Sequence, residues 1–436
     1  MAVFRQPGTV LTDHTFSVPL DHADPGGERI EVYAREVVAA GRERDSLPWL
    51  LFLQGGPGGR SPRPLGRDGW LVRALDDYRV LLLDQRGTGR STPANRQTLP
   101  LRGDATAQAE YLAHFRADSI IRDCELIRCR LLGEDGQWSV LGQSFGGFCA
   151  LTYLSFAPHG LREAFITGGL PGLGTTAQEV YRAAYPRVEN KNQRHFARYP
   201  QDVAATREIA RHLREHRVLL PNGGSLTAEA FQSLGIMLGA GTGSHSLHYL
   251  LEDAFVPGDG DRRLSDSFLS AVQGHLSFAG NPLYAILHES IYGQRSVSRD
   301  CTGWAAQQVH LGHPQFDVDQ ALSGDGPVLF TGEMIYPWMF TTDPALAPLR
   351  ETAHLLALRE DWPDLYDASQ LAANEVPVAA AVYHDDMYVD AAQSLATARS
   401  VGSLRTWVTD EYEHDGLRVS SGRVLDRLIR LVRGEA

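Results

Sequence analysis

The stretch SVLGQSFGGFCALTYL, Ser139 to Leu154, sets a short apolar run before a serine hemmed by glycines, and then an apolar segment with helical spacing. That order is how a buried strand hands its carboxyl end to the first turn of a helix. Within it, Gly142-Gln143-Ser144-Phe145-Gly146 has the Gly-x-Ser-x-Gly form. Small neighbours allow the sharp turn that lifts a serine Oγ above the end of a sheet, which makes Ser144 a candidate nucleophile. In a chain with 43 glycines the pentapeptide alone carries little weight. The strand before it and the helix after it supply the context the chemistry needs.

Outward from this point the same alternation continues. RIEVYAREVV alternates apolar and polar residues as a half-buried strand does, while LPWLLFL and YRVLLLD are short and almost wholly apolar, as strands covered on both faces are. From Glu110 to Leu132 the apolar positions fall on one face and predict a single amphipathic helix. LREAFITGG predicts the next strand. After Gly172 the strand pattern stops for about two hundred residues, which are mostly helical in character. It resumes with VPVAAAVY, a helix near DAAQSLATARSV, the strand LRTWVTD and the closing helix SGRVLDRLIRLVRG. Sequential strand-helix-strand units predict an α/β fold with a mostly parallel central sheet. Residues 1–172 and 369–436 form the two parts of the core, and 173–368 an inserted helical cap.

The composition narrows the function. The formal charge of −12 disfavours nucleic acid and anionic membranes as partners. No apolar run approaches a membrane span, and the first residues lack the cationic and apolar regions of a signal peptide, so the expected location is cytoplasmic. The four cysteines, Cys124, Cys129, Cys149 and Cys301, have neither metal-ligand spacing nor the density of a disulfide scaffold. His245 and His248, like His310 and His313, stand three apart, but neither pair has a third ligand at a recognisable spacing. The expectation is no metal and no cofactor. A homo-oligomer is compatible with the sequence, which sets no oligomeric state.

FLQGGPGG follows the strand PWLLFL and puts the backbone N–H groups of Gly55 and Gly56 where parallel sheets bind ligands. With the N–H of Phe145 they form a candidate oxyanion hole. Where a nucleophile sits on such an elbow, the acid and then the histidine follow it in the chain. His414, in DEYEHDGLR, is the histidine that follows VPVAAAVY and its acidic loop, and it is the candidate general base. VYHDDMYVD offers Asp385, Asp386 and Asp390 as orienting acids. Asp386 stands far enough past the strand to reach over the sheet, and Asp385 remains open.

Taken together, GGPGG, DQRGTGRS, GQSFGGF and EHDGLR, in that order, resemble the proline iminopeptidases of the α/β-hydrolase serine peptidases, over nearly the whole chain. LTDHTFSVPLDH, TGGLPGL, FTGEMIYPWMF and DDMYVD are similar to signatures of the longer bacterial subgroup. Gln54 stands where the short forms carry histidine, a change the longer forms share. The resemblance implies an α/β-hydrolase fold with a helical cap and hydrolysis of the bond after an N-terminal proline, through an acyl-enzyme on Ser144. In DQRGTGRS, Asp84 and Arg86 are expected to brace a turn rather than touch substrate. The substrate's protonated secondary amine needs a carboxylate shielded from water. Glu289, in ILHESIYG, resembles the family's amine-binding position. Glu333, between apolar and aromatic residues in FTGEMIYPW, is a second candidate, and Glu252 a weaker third. An esterase or amidase using the same triad without amine recognition is the rival reading, and N-acetylated substrates separate the two.

Overall fold

The computed structural model describes residues 2–256 and 262–435. Nine strands make one sheet: β1 (Val3–Gln6), β2 (Thr9–Pro19), β3 (Arg29–Ala39), β4 (Trp49–Leu53), β5 (Arg79–Leu83), β6 (Trp138–Gln143), β7 (Leu161–Thr167), β8 (Val378–Tyr383) and β9 (Leu404–Thr409). Their order is β1-β2-β3-β5-β4-β6-β7-β8-β9. The first three strands and the β3–β5 pair run antiparallel, and every pairing from β5 to β9 is parallel.

Side chains on successive strand residues point to opposite faces, and the core divides accordingly. On β4, Leu51 and Leu53 join one apolar cluster with the helices α2 (Ala117–Leu132) and α3 (Phe145–Phe156). Leu50 and Phe52 join the opposite cluster, with α1 (Leu71–Asp77) and α9 (Arg423–Arg433). This double cover explains why β6 and β8 are buried at every residue, β8 as an unbroken apolar run and β6 with only Ser139 and Gln143 polar. Truncating Leu51, which is fully buried, to alanine costs about 2–5 kcal/mol.

Between β7 and β8 no strand joins the main sheet among the described residues; the chain forms helices and a two-stranded hairpin. They include α4 (Ala177–Arg198), α5 (Asp202–Glu215), α6 (Gly243–Glu252) and α7 (Ala305–His310). α4 starts on a capping box in which the Thr176 hydroxyl accepts from the Glu179 N–H and the Glu179 carboxylate accepts from the Thr176 N–H. After β8 comes α8 (Ala391–Ser400). Among the described residues no helix is long and apolar enough to cross a membrane.

One sequence reading is corrected, and one strand went unread. The amphipathic segment 110–132 is not one helix: a helix over Ala105–Ala113 ends, and α2 begins at Ala117. The bend lets Arg116, almost wholly buried, donate to the carbonyls of Gly293 at 2.6 Å and Pro363 at 3.0 Å. Strand β2, in LTDHTFSVP, lacked a strand reading because its ladder carries polar residues. They are paired across the sheet, Asp13 with Tyr33 and Arg35, and His14 with Glu36.

Candidate active site

Ser144 stands between β6 and α3 with φ 56° and ψ −126°, outside the regions a side chain ordinarily favours. Its N–H donates to Thr167 O at 3.0 Å, and its neighbours are glycine for want of room. A Cβ on Gly142 would lie 2.3 Å from Gly146 O, and one on Gly146 would lie 1.9 Å from Leu53 O. The turn therefore exists only with both glycines in place.

His414 follows β9 and is buried. Its Nδ1 lies 2.7 Å from Asp386 Oδ2, while Asp386 Oδ1 accepts from the N–H groups of Tyr388 (2.8 Å) and Val389 (3.1 Å). A carboxylate so held keeps the proton of the neutral imidazole on Nδ1 and leaves Nε2 as the acceptor. Nε2 faces the elbow: it is 3.4 Å from Nε2 of Gln143, the residue before Ser144. Burial alone would lower the His414 pKa, but the charge and hydrogen bond of Asp386, joined by the charge of Glu333, outweigh it and raise the pKa above the ordinary histidine value. Asp385 does not reach the ring. Its carboxylate pairs with Arg194 and His384, and Asp390 caps α8 and pairs with Arg187.

Gly55 packs directly on the nucleophile, since a Cβ there would lie 2.7 Å from Ser144 Cβ. Gly56 has φ +137°, and a Cβ on it would meet Gly59 N at 2.8 Å. This loop and the amino end of α3, where the N–H of Phe145 has no carbonyl one turn back, flank Ser144. Gln85 Nε2 donates to Gln54 O at 3.1 Å and so ties the loop to the strand beside it. The turn after β5 is a brace, as its residues indicated. Asp84 accepts from Ser61 N, Arg63 and Arg90 N, and Arg86 donates to Asp123 and to the carbonyls of Pro19, Leu20 and His114.

The three candidate glutamates differ. Glu333 is half-buried and accepts from the Tyr284 hydroxyl at 2.5 Å, with its charge felt at His414. Glu289 is 7 % exposed, and its oxygens accept from Ala305 N and Ala306 N, each at 3.0 Å, at the start of α7. Burial outweighs those hydrogen bonds and pushes its pKa up to about 7. Tyr292 links these groups to the elbow. It packs on Phe148 of α3, itself against Phe145, and the charges of both Glu333 and Glu289 act on its hydroxyl. Glu252 sits apart, 57 % exposed and paired with His248. The other histidines singled out by spacing are spent elsewhere: His248 on Asp202, His310 on Tyr185, His245 on Tyr199 and His313 stacked on Tyr185.

Sequence reasoning missed Gln143, Tyr284 and Tyr388. Tyr388 packs its ring edge on His414, with centroids 4.7 Å apart, and anchors its hydroxyl on Ile236 O. Its place two residues after Asp386 was the available signal. Gly168, of TGGLPGL, abuts His414, where a Cβ would come within 3.0 Å of Nδ1.

The model of the alpha/beta hydrolase fold matches residues 48–417. The chain is 50% identical over 421 residues to a proline iminopeptidase of Aeromonas sobria, covering 96% of each chain. It is 36% identical to a proline iminopeptidase of Aspergillus aculeatus, covering 98% of this chain and 94% of the relative.

Proposed function

The chain belongs to the proline iminopeptidases of the alpha/beta hydrolase fold, and from that premise we propose that it hydrolyses the peptide bond after an N-terminal proline with Ser144 as nucleophile, His414 as base and Asp386 as orienting acid. The observation that carries the assignment is the Asp386–His414 contact of 2.7 Å, with Nε2 turned to the residue beside Ser144.

In this reading Nε2 of His414 takes the Ser144 proton as Oγ attacks the prolyl carbonyl. The oxyanion forms against the N–H of Phe145 and those of the Gly55–Gly56 loop, each donor contributing about 2.7–4 kcal/mol to the barrier's reduction. Collapse returns the proton from His414 to the leaving amine and leaves a prolyl ester on Ser144. Water, deprotonated by the same nitrogen, then attacks the ester, and proline departs as Oγ recovers its proton. Residues 173–368 act as the cap that recognises the free amine. Glu333 anchors the cation from the side of His414, and Glu289, held by two backbone amides, faces it across Tyr292. The cap binds peptides through their first residue. The reading of a cytoplasmic enzyme rests on its four unpaired cysteines, two of them buried.

A fluorophosphonate probe should label Ser144 and should lose that label in Ser144→Ala, while prolyl-β-naphthylamide should be cleaved much faster than N-acetylprolyl-β-naphthylamide. Equal cleavage of both would remove amine recognition and leave the esterase or amidase reading.

A further inference from the structure

α4 lays Arg187, Lys191 and Arg194 along one face at helical spacing, and each meets a loop that carries a member of the triad. Arg194 Nη1 donates to Asp385 Oδ2 at 2.5 Å, next to Asp386. Arg187 pairs with Asp390 at the other end of the same loop and donates to His384 O at 3.1 Å. Lys191 Nζ donates to both oxygens of Glu413, the residue immediately before His414. The same helix also holds the approach to Glu333. Asn192 donates to Phe330 O at 2.8 Å and accepts from Phe330 N at 2.8 Å.

Lys191 is the single lysine among the 41 basic residues of the chain. Its side chain is 7 % exposed. Glu413 opposite it is 26 % exposed, and a partly exposed ion pair adds little net stability, so stability alone does not account for one here. What the pair does supply is position. His414 is tied to the segment between β7 and β8 at three successive residues: its own N–H donates to Gly239 O at 3.2 Å, Asp415 accepts from Gly241 N at 3.2 Å, and Glu413 makes the charged contact, to Lys191.

We propose that Lys191 is a positioning residue for the reaction: through Glu413 it sets where His414 stands over Ser144, so that seating of the cap helix completes the catalytic base. This rests on the triad assignment made above.

The test uses the full-length enzyme and two readouts, the rate at which a fluorophosphonate labels Ser144 and steady-state kinetics on prolyl-β-naphthylamide. A displacement near 1 Å at a reacting group lowers rates on the order of 10²-fold. Lys191→Met is expected to slow both labelling and kcat on that scale with KM unchanged, and Lys191→Arg, which keeps the cation, to recover most of the loss. Should Lys191→Met fail to fold, Glu413→Gln poses the same question from the other partner and is expected to slow labelling as well. A folded Lys191→Met or Glu413→Gln that labels at the wild-type rate overturns the proposal, as does a Lys191→Arg no faster than Lys191→Met. If the wild type labels but does not cleave prolyl-naphthylamide, the proline reading fails while slower labelling in Lys191→Met still upholds this one.

Discussion

Replacing Glu333 with glutamine removes a negative charge while keeping the shape and an acceptor for the Tyr284 hydroxyl. Two consequences follow, with different readouts. The first is at the substrate. Truncating one partner of a buried charge pair costs about 2–5 kcal/mol, and Glu333 is only half-buried, so the lower part of that range applies. A loss of about 2–3 kcal/mol is roughly 30- to 150-fold in kcat/KM for a substrate with a free prolyl amine. Substrates whose amine is acetylated bring no cation and should be hydrolysed no more slowly by the variant than by the wild type. The second consequence is at the base. The charge of Glu333 helps to raise the His414 pKa. Without it the pKa falls, His414 stays unprotonated to lower pH, and the acid limb of the kcat/KM profile moves to lower pH. Prolyl- and N-acetylprolyl-β-naphthylamide, assayed across pH in both enzymes, give both answers. An equal loss on the two substrates, or an acid limb that stays put or moves upward, would refute the placement of Glu333 between amine and base.

Asp386→Ala should lower kcat on the order of 10⁴-fold, as removal of a triad acid does, while Asp385→Ala, which frees Arg194 at a partly exposed site, should leave kcat within about tenfold of wild type; equal losses in steady-state assays would undo the distinction. Gly55→Ala drives a Cβ to 2.7 Å from Ser144 Cβ and 2.9 Å from Gln143 O, so it should lower Tm as the elbow shifts and cost on the order of 10²–10³-fold in kcat, the scale of a lost oxyanion donor; near-normal turnover in the folded variant would exclude this loop from the oxyanion site. Glu289 has its pKa pushed up to about 7, so KM for free prolyl substrates should rise as pH falls through that value and the carboxylate takes up a proton. Glu289→Gln should raise KM at pH 8 and flatten that dependence, and an unchanged KM with a lowered Tm would confine Glu289 to bracing the backbone of Ala305 and Ala306.

The parallel core was legible because its strands, apart from the edge strand β9, are buried on both faces, so the pattern is local. β2 was not, because its polar residues are satisfied by β3, and a lone strand does not announce its partner. The break at 114–116 was hidden for a related reason: Arg116 is spent on carbonyls some hundreds of residues away. At the site, Ser144 and the glycines of its loop could be found from neighbours, since crowding within a tight turn is a short-range constraint. The choice between Asp385 and Asp386 could not. The two adjacent carboxylates are told apart by α4, whose Arg194 claims the first and leaves the second to His414. The role of Lys191 was equally invisible, because nothing near position 191 in the chain points to residue 413.

The buried Tyr111, Leu112 and Phe115, which precede β6, belong to the same apolar cluster as Tyr181, Leu283 and Phe340, which lie between β7 and β8. A hydrogen bond from the Thr352 hydroxyl to Gln108, 2.9 Å long, crosses the same seam. Modular engineering has to respect that ownership. Deleting 173–368 to obtain a minimal hydrolase would bare this aromatic ledge and yield an insoluble chain, and a chimera that borrows a relative's specificity region must bring that relative's counterpart of 94–116 along with it.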